Sequence, residues 1–385
     1  MADVWIMTSG MGEGEEAWKS GVQAVVFPNH KIIAQSDMDK RLLQEQIEEA
    51  QRFWQQDGNE GEISTEALFD YLGGLHTSPY HGGFVTSIEE AREYVKLSGG
   101  LPLDDFPTAF MNSLYTRLAY STDTGRVREH NEDAFGFVSP EEFRDIVPAF
   151  LPTPIQTFAV VADGMGGLAA GEVASSIAVT TIVDKLKRIC KAWPTLEAMI
   201  SSGQISLQEL LTQQLKRALE EANELVILEG ERDPSKGGMG TTCTAAALSY
   251  GRLLIAHIGD SRAYLLRSGV LAQLTHDHSW VQKQVDKGRI TAEEAWDHPR
   301  KNLITRAIGL DHKVDVDTYV SDVFSGDLIL LCTDGLNTML KDREIEDVLA
   351  SGKSLQEICD SLVQAANDVG GFDNTTVMLM EVRSD

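Results

Sequence analysis

FAVVADGMGGLAAGEVA, residues 158–174, can be read in two ways that lead to different folds. An apolar run ends in Asp163, glycines follow at Gly164, Gly166 and Gly167, and a helix begins. Gly164-Met165-Gly166-Gly167-Leu168-Ala169 fits the loose dinucleotide pattern G-x-G-x-x-G/A between a strand and a helix. Asp184 even lies near the acidic position such a site uses. The surroundings exclude that reading. A dinucleotide unit needs a second strand ending in the acidic residue, whereas Asp184 sits in TTIVDKLKR, well inside the helix. A carboxylate directly before the first glycine would also repel a pyrophosphate. No G-x-x-x-x-G-K-[ST] occurs, so a P-loop is excluded too. What remains is that Asp163 is the working residue and the glycines make room around it.

Other aspartates sit in equivalent places. Asp163 ends FAVVAD, Asp260 ends LLIAHIGD, Asp334 ends LILLCTD, and Asp373 directly precedes NTTVMLMEV. Glu132 and Asp133 stand at the start of the strand in HNEDAFGF. Each of the four aspartates has glycine or asparagine beside it, which taken singly is turn chemistry. Together they describe carboxylates converging at one edge of a core. Such a cluster repels itself unless cations neutralise it. Hard oxygen ligands select Mg²⁺ or Mn²⁺ over zinc. Paired ions about 3.5–4 Å apart suit hydrolysis of a phosphate ester by an activated water.

The rest of the chain frames this cluster. Its 385 residues, 42% of them hydrophobic, suffice for one large domain and a smaller one. A net charge of −26 argues against nucleic-acid or anionic-membrane binding. The start, MADVWIMTSGMGEGEE, turns acidic where a signal peptide needs basic and apolar segments. No apolar run approaches the roughly 20 residues of a membrane span. Cys190, Cys243, Cys332 and Cys359 are scattered without a C-x-x-C, as expected of free thiols in a reducing cytoplasm. No cysteine has an arginine six residues later, so the C-x₅-R loop of cysteine phosphatases is absent.

Residues 1–113 are denser in negative charge, with 19 Asp and Glu against 7 Lys and Arg. VWIMTSG (4–10) and AVVFPNHKII (24–33) read as short strands. MDKRLLQEQIEEAQRFWQQ (38–56) reads as an amphipathic helix whose stripe is core more readily than partner surface. STEALFDYLGGL (64–75) and SIEEAREYVKLSGG (87–100) read as serine-capped helices. LPLDDFPT (101–108), with two prolines and two aspartates, is the linker. From Leu114 the pattern changes. Strands are expected at 117–125, 133–138, 156–163, 327–334 and 374–382, and a strand-rich tract at 241–275 with turns at Tyr250-Gly251 and Ser268-Gly269. Long helices are expected at 171–193, 206–230 and 354–370. Such helices beside hairpin-linked strands point to an α+β sandwich rather than alternating βαβ units.

Six stretches then resemble one family in order: STDTGRVREHNEDAFGF (121–137), VVADGMGGLAAGEVAS (160–175), GGMGTTCTAA (237–246), HIGDSRAYLLRSG (257–269), LLCTDGLNTML (330–340) and FDNTTVMLMEV (372–382). They are similar to the metal-dependent protein phosphatases, the PPM or type 2C family. DKGRITAEEAWDHPRKNLITRAIG (286–309) resembles the mobile flap of its bacterial branch. The likeness spans roughly residues 115–385 and none of 1–113. It implies a four-layer α-β-β-α sandwich, and the elements read in residues 1–113 place a small α/β or α+β N-terminal domain before it. The domains expected are 1–113, regulatory or partner-binding, and 114–385, the phosphatase, with a flap at about 276–309.

Carried over position by position, the resemblance implies a site for two Mn²⁺ or Mg²⁺ ions and a third, weaker one. Asp163 is expected to bridge the pair, with the carbonyl of Gly164 beside it. Glu132 is expected to hold one ion, mostly through water, and Asp334 and Asp373 the other. Asp260 matches a residue of the third site, shared with Asp334. Arg128 matches the arginine that grips the substrate phosphate, a task suited to a bidentate guanidinium. Asp133 is expected to stand behind these ligands. Met165 departs from the eukaryotic branch, which has a histidine after D-G thought to protonate the leaving group. His130 and His257 are read as structural, which leaves that proton to a metal-bound water.

The activity implied is attack by a metal-bridging hydroxide on phosphoserine or phosphothreonine proteins, in the cytoplasm, reversing a bacterial Ser/Thr kinase. Two rivals are a catalytically silent phosphoprotein-binding module on the same fold and a scaffold acting through residues 1–113. The intact set Arg128, Glu132, Asp163, Asp334 and Asp373 weighs against the first.

Overall fold

The computed structural model describes residues 114–138, 155, 157–167, 170–192, 206–249 and 251–384. Of the first 113 it describes 3–8, 22–26, 32–34, 43–44, 47–48, 50–52, 55, 68 and 82–87. The chain groups into two compact units, Met1–Leu114 with the last two residues and Tyr115–Arg383.

The first unit holds four strands, β1 (Asp3–Thr8), β2 (Val22–Val26), β3 (Ile32–Ala34) and β4 (Gly82–Ser87), in the order β3-β2-β1-β4 with antiparallel neighbours. The stretch read as one strand at 24–33 thus contributes to two. Within the amphipathic segment 38–56 the described residues are helical. Leu43, Ile47 and Ala50 are buried, while Gln44, Glu48 and Arg52 are exposed. That spacing of four and three residues puts the apolar stripe on one helical face, and this face is core. The linker 101–108, most of the helix expected at 64–75 and all but Ser87 of the one at 87–100 lie outside the described residues. Ser87 itself closes β4.

The second unit is a sandwich. One sheet contains β6 (Asp133–Val138), β7 (Thr157–Met165), β9 (Cys243–Ser249), β10 (Arg252–Ile258) and β13 (Asp317–Asp322) in the order β13-β10-β9-β7-β6, with β8 (Gly240–Thr241) paired to the end of β7. The other runs β12-β11-β14-β15-β5, from β5 (Leu114–Asp123), β11 (Arg262–Arg267), β12 (Val270–Gln273), β14 (Leu328–Cys332) and β15 (Thr375–Ser384). Central strands read as unbroken apolar runs because both faces are covered. In β7 the alternation sends Phe158, Val160 and Ala162 to one side. There they meet helices α1 (Ala170–Lys191) and α2 (Leu207–Arg232) through Ala174, Ile182, Leu215 and Leu219. Ala159 and Val161, equally buried, take the opposite face, toward the second sheet.

The second sheet repeats the arrangement. Leu330, Cys332, Val377 and Leu379 pack under α5 (Asp334–Asn337), α6 (Asp342–Leu349) and α7 (Leu355–Asp368) through Leu336, Ile345 and Leu362. Met378 and Met380 alternate to the inner side, where they are buried. The order is helices, sheet, sheet, helices. Ser206 caps α2 by accepting from Glu209 N–H, and Ser354 with Glu357 forms a capping box on α7, so both helices begin where their serines place them. Two short helices, α3 (Trp280–Asp286) and α4 (Ala292–Trp296), occupy the segment expected to be the flap.

Candidate active site

The cluster is assembled by sheet register. In the β6–β7 pair Asp133 stands opposite Asp163. Glu132, one residue before β6, accepts at its carbonyl from Gly164 N–H (3.1 Å) and from the hydroxyl of Ser175 on α1 (2.6 Å). A side chain at position 164 has no room: a Cβ there would lie 2.1 Å from the Gly171 carbonyl and 2.6 Å from that of Glu132. Gly171 is similarly constrained, since its own Cβ would come within 2.7 Å of Glu132 Oε1. The glycine after Asp163 is therefore required by the close approach of two backbones and of Glu132.

The second sheet supplies the other side. Cys332 of β14 pairs with Val377 of β15, which sets Asp334 and Asp373 just beyond adjoining strand ends. Gly335 lies against the carbonyl of Asn374, where a Cβ would have only 2.0 Å. Asp133 spans the sheets, its Oδ2 accepting from Thr333 (2.8 Å) and Thr376 (2.7 Å). Asp260 follows Gly259, whose φ of +112° and 2.5 Å Cβ clearance from Thr242 Cβ both demand glycine.

Three residues that the sequence did not single out hold these loops together. The hydroxyl of Thr242 accepts from Asp163 N–H (2.9 Å) and shares a hydrogen bond with Ser261 (2.7 Å), which joins the Asp163 and Asp260 turns. Asn374 accepts from Glu132 N–H (2.8 Å) and donates to the carbonyls of Thr124 and His130, both 2.9 Å away, which fixes the loop carrying Arg128. Thr376 ties Asp133 to β15. Thr242 and Asn374 lie in motifs already quoted, but a neutral hydroxyl or amide is ordinary turn and strand chemistry until its partners are seen.

The electrostatics follow from burial. Desolvation, then repulsion from Asp334 and Asp133, raises the Asp163 carboxyl well above its ordinary range. Asp260 is raised in the same way by burial and then Asp334. Burial pushes Asp133 up to about 7 against the pull of its two threonine donors, and burial with Asp373 pushes Asp334 up to about 6. Glu132 is raised chiefly by desolvation. Asp133 Oδ1, Asp260 Oδ1 and Asp334 Oδ1 are buried without any hydrogen-bond partner. Buried, mutually repelling oxygens with free lone pairs are what a hard divalent cation requires. Among the described residues no three such side chains already close into a metal cage. Asp373 Oδ2 instead accepts from Arg128 Nη2 at 2.7 Å, which also raises the arginine.

Of the two histidines read as structural, His257 is held away from this chemistry. His257 is fully buried, bonded to Thr244 and to the His276 carbonyl, and pushed down to about 3 by desolvation. His130 contributes its carbonyl to Asn374. All four cysteines are free and buried.

Asp260 and Asp334 open onto a cavity of about 480 Å³ roofed by α3 and α4. This roof is fastened at both ends. At its base His278 N–H donates to the Gly259 carbonyl (2.7 Å), and Gly259 N–H returns to His278 Nδ1 (3.1 Å). At its far end Trp296 Nε1 donates to the Asn337 carbonyl (3.3 Å), and Lys301 and Lys341 lie over the indole ring.

Known proteins resemble this chain in sequence and in fold. The family model described as Protein phosphatase 2C matches residues 144–378. The serine/threonine phosphatase stp of Listeria monocytogenes serovar 1/2a is 40% identical over 262 residues, 68% of this chain and 94% of that protein. Among solved structures, the S. agalactiae serine/threonine phosphatase superposes with a TM-score of 0.59 at 32% identity, covering 70% of this chain and 100% of that one. The catalytic domain of the serine/threonine protein phosphatase PstP, in complex with two manganese ions, gives 0.55 at 35% identity, with the same coverage. No helix among the described residues is long and apolar enough to cross a membrane.

Proposed function

The chain belongs to the bacterial branch of the protein phosphatase 2C (PPM) family and is a metal-dependent protein-serine/threonine phosphatase, and from this premise we propose how its residues divide the work. The observation that carries the proposal is the meeting of Glu132, Asp163, Asp260, Asp334 and Asp373 from separate segments at one end of the sandwich, with orphaned oxygens on two of them. Asp163, with the Gly164 carbonyl beside it, would hold both principal cations. Glu132 would hold one of them, mostly through water, and Asp334 and Asp373 would hold the other. Asp260 and Asp334 would supply a third, weaker site. When bound, the cations lower the pKa of a water toward neutrality and offset charge on the phosphoryl oxygens.

Arg128 orients the substrate phosphate. Its guanidinium lies against Asp373 and is half exposed, so it presents donors at the rim of the cluster. Asp133 holds Thr333 and Thr376 in register and keeps both sheet ends together. Asn374 keeps the Arg128 loop seated. The side chain after Asp163-Gly164 is Met165, which carries no proton to give, so a water held by the cations would supply the proton to the leaving serine or threonine oxygen. The substrates are phosphoserine and phosphothreonine proteins, and the enzyme reverses a Ser/Thr kinase. The free, buried cysteines suit a reducing cytoplasm.

The deciding measurement is Mn²⁺-dependent hydrolysis of p-nitrophenyl phosphate and of a phosphothreonine peptide by wild type and Asp163→Ala. Turnover should fall at least about 10³-fold at every Mn²⁺ concentration, a loss of the size seen when a principal transition-state contact is removed. Near-normal activity in the variant would overturn the assignment.

A further inference from the structure

Beside Arg128 lie two exposed apolar side chains that the chemistry above leaves without a role. Val127 is 61% exposed and Phe372 is 60% exposed. Their loops are tied together on either side of them: Arg126 N–H donates to the Gly371 carbonyl (2.7 Å), and Arg128 Nη2 donates to Asp373 Oδ2 (2.7 Å). Val127 and Phe372 occupy the position between those two links, one on each loop. Each is therefore covalently next to a working group, Val127 to the guanidinium and Phe372 to the carboxylate.

The placement of Phe372 is built. Its ring lies against Gly370, where a Cβ would come within 2.8 Å of the ring, and Gly370 has a φ of +142°. Gly371, at φ +53°, has no room either, since a Cβ would meet Asn367 Oδ1 at 2.5 Å and Arg126 Cγ at 2.9 Å. Two glycines in conformations that other residues rarely adopt lead the chain into this exposed ring, within one residue of the cluster. Val369, three residues before Phe372, is also exposed, at 54%. Exposed apolar side chains grouped at a site's rim mark a contact surface.

The occupant follows from continuity with the phosphate site. An extended chain advances about 3.3–3.6 Å per residue. The nearest neighbours in sequence of a phosphorylated residue whose phosphate meets Arg128 therefore lie within about 7 Å of that residue, on the scale that separates Arg128 from Val127 and Asp373 from Phe372 along their own loops. Arg126 and Arg128 stand on either side of Val127 in sequence, which places two guanidinium-bearing residues next to it in a protein whose net charge is −26. We propose that Val127 and Phe372 form an apolar ledge that seats a hydrophobic side chain of the phosphoprotein, one or two residues from the phosphorylated serine or threonine. The enzyme then selects substrates by an apolar neighbour as well as by the phosphate. This rests on the reading that Arg128 receives the phosphate.

The test compares phosphothreonine peptides that are identical except for leucine or serine at each of the two positions on either side of the phosphothreonine. The full-length protein is used with saturating Mn²⁺, and the quantity read is the leucine-to-serine ratio of kcat/KM. Wild type should favour leucine about tenfold at one position, as one well-seated side chain provides. In Phe372→Ser and in Val127→Ser the ratio should fall to about one to two. Because the two peptides share the same chemical step, any general loss in a variant cancels from the ratio. Val127→Ser also decides the matter if Phe372→Ser does not fold. A wild-type ratio near one at every position, or a tenfold ratio that survives in the folded variants, overturns the ledge. Arg128→Ala is assayed separately on p-nitrophenyl phosphate, which has no flanking residues. Undiminished turnover there overturns the phosphate reading itself.

Discussion

At the scale of the residue, the carboxylate of Asp133 shows how burial sets the behaviour of this site. Its Oδ1 is buried without a partner, its Oδ2 is bonded to Thr333 and Thr376, and desolvation pushes it up to about 7. A carboxyl whose pKa is higher folded than unfolded contributes its full stability below the unfolded value. That contribution is lost as pH rises through the folded value. Glu132, Asp163, Asp260 and Asp334 are displaced in the same direction. Metal-free protein in EDTA should therefore melt at a lower temperature at pH 8 than at pH 5, and Asp133→Asn should flatten part of that slope. Mn²⁺ should raise the melting temperature more at pH 8, where the carboxylates it binds are charged. Thermal unfolding across that range checks both statements; a wild-type melting temperature that rises with pH contradicts them. The charged members of the cluster were legible in the sequence because each ends or begins a recognisable strand. Thr242, Asn374 and Thr376 were not, because a neutral side chain acquires its role only from the partner it meets across the fold.

At the scale of the element, the strand-to-helix turn at Asp163 is decided by proximity. The sequence suggested that the glycines there open space, and the structure separates their contributions. Gly164 faces the backbone carbonyls of Gly171 and Glu132, whereas a Cβ on Gly167 would meet nothing within 4 Å. Gly164→Ala should cost about 3 kcal/mol or more, because β7, α1 and the Glu132 loop cannot all yield. Gly167→Ala should lie within about 0.5 kcal/mol of wild type. Urea unfolding of the two variants tests the contrast, and equal midpoints would refute it. Elsewhere, most of the long helices and buried strands stand close to where periodicity and serine caps put them. The strand β13 escaped notice because DTYVSD is polar and lies at a sheet edge, half exposed. The helix α5 escaped because its four residues are too few to show a period.

At the scale of the whole molecule, both hydrophobic clusters that flank the sheets draw on residues from Ala119 onward. We expect residues 114–385 to fold and to retain Mn²⁺-dependent turnover of p-nitrophenyl phosphate within about twofold when 1–113 are removed, since the compact unit Tyr115–Arg383 carries every residue of the proposed site. A fragment that is folded but inactive would show that the N-terminal unit is needed for catalysis. The sequence by itself determined that this is an α+β phosphatase-like chain with Asp163 at the end of a buried strand. It could do so because strand runs, turn glycines and carboxylates are local features that survive in one dimension. The tertiary structure alone decided which neutral side chains clamp the carboxylates, which glycine is indispensable, and that Arg128 lies against Asp373. Those facts depend on distances between segments up to about 250 residues apart, and only the pairing of two sheets brings such segments into contact.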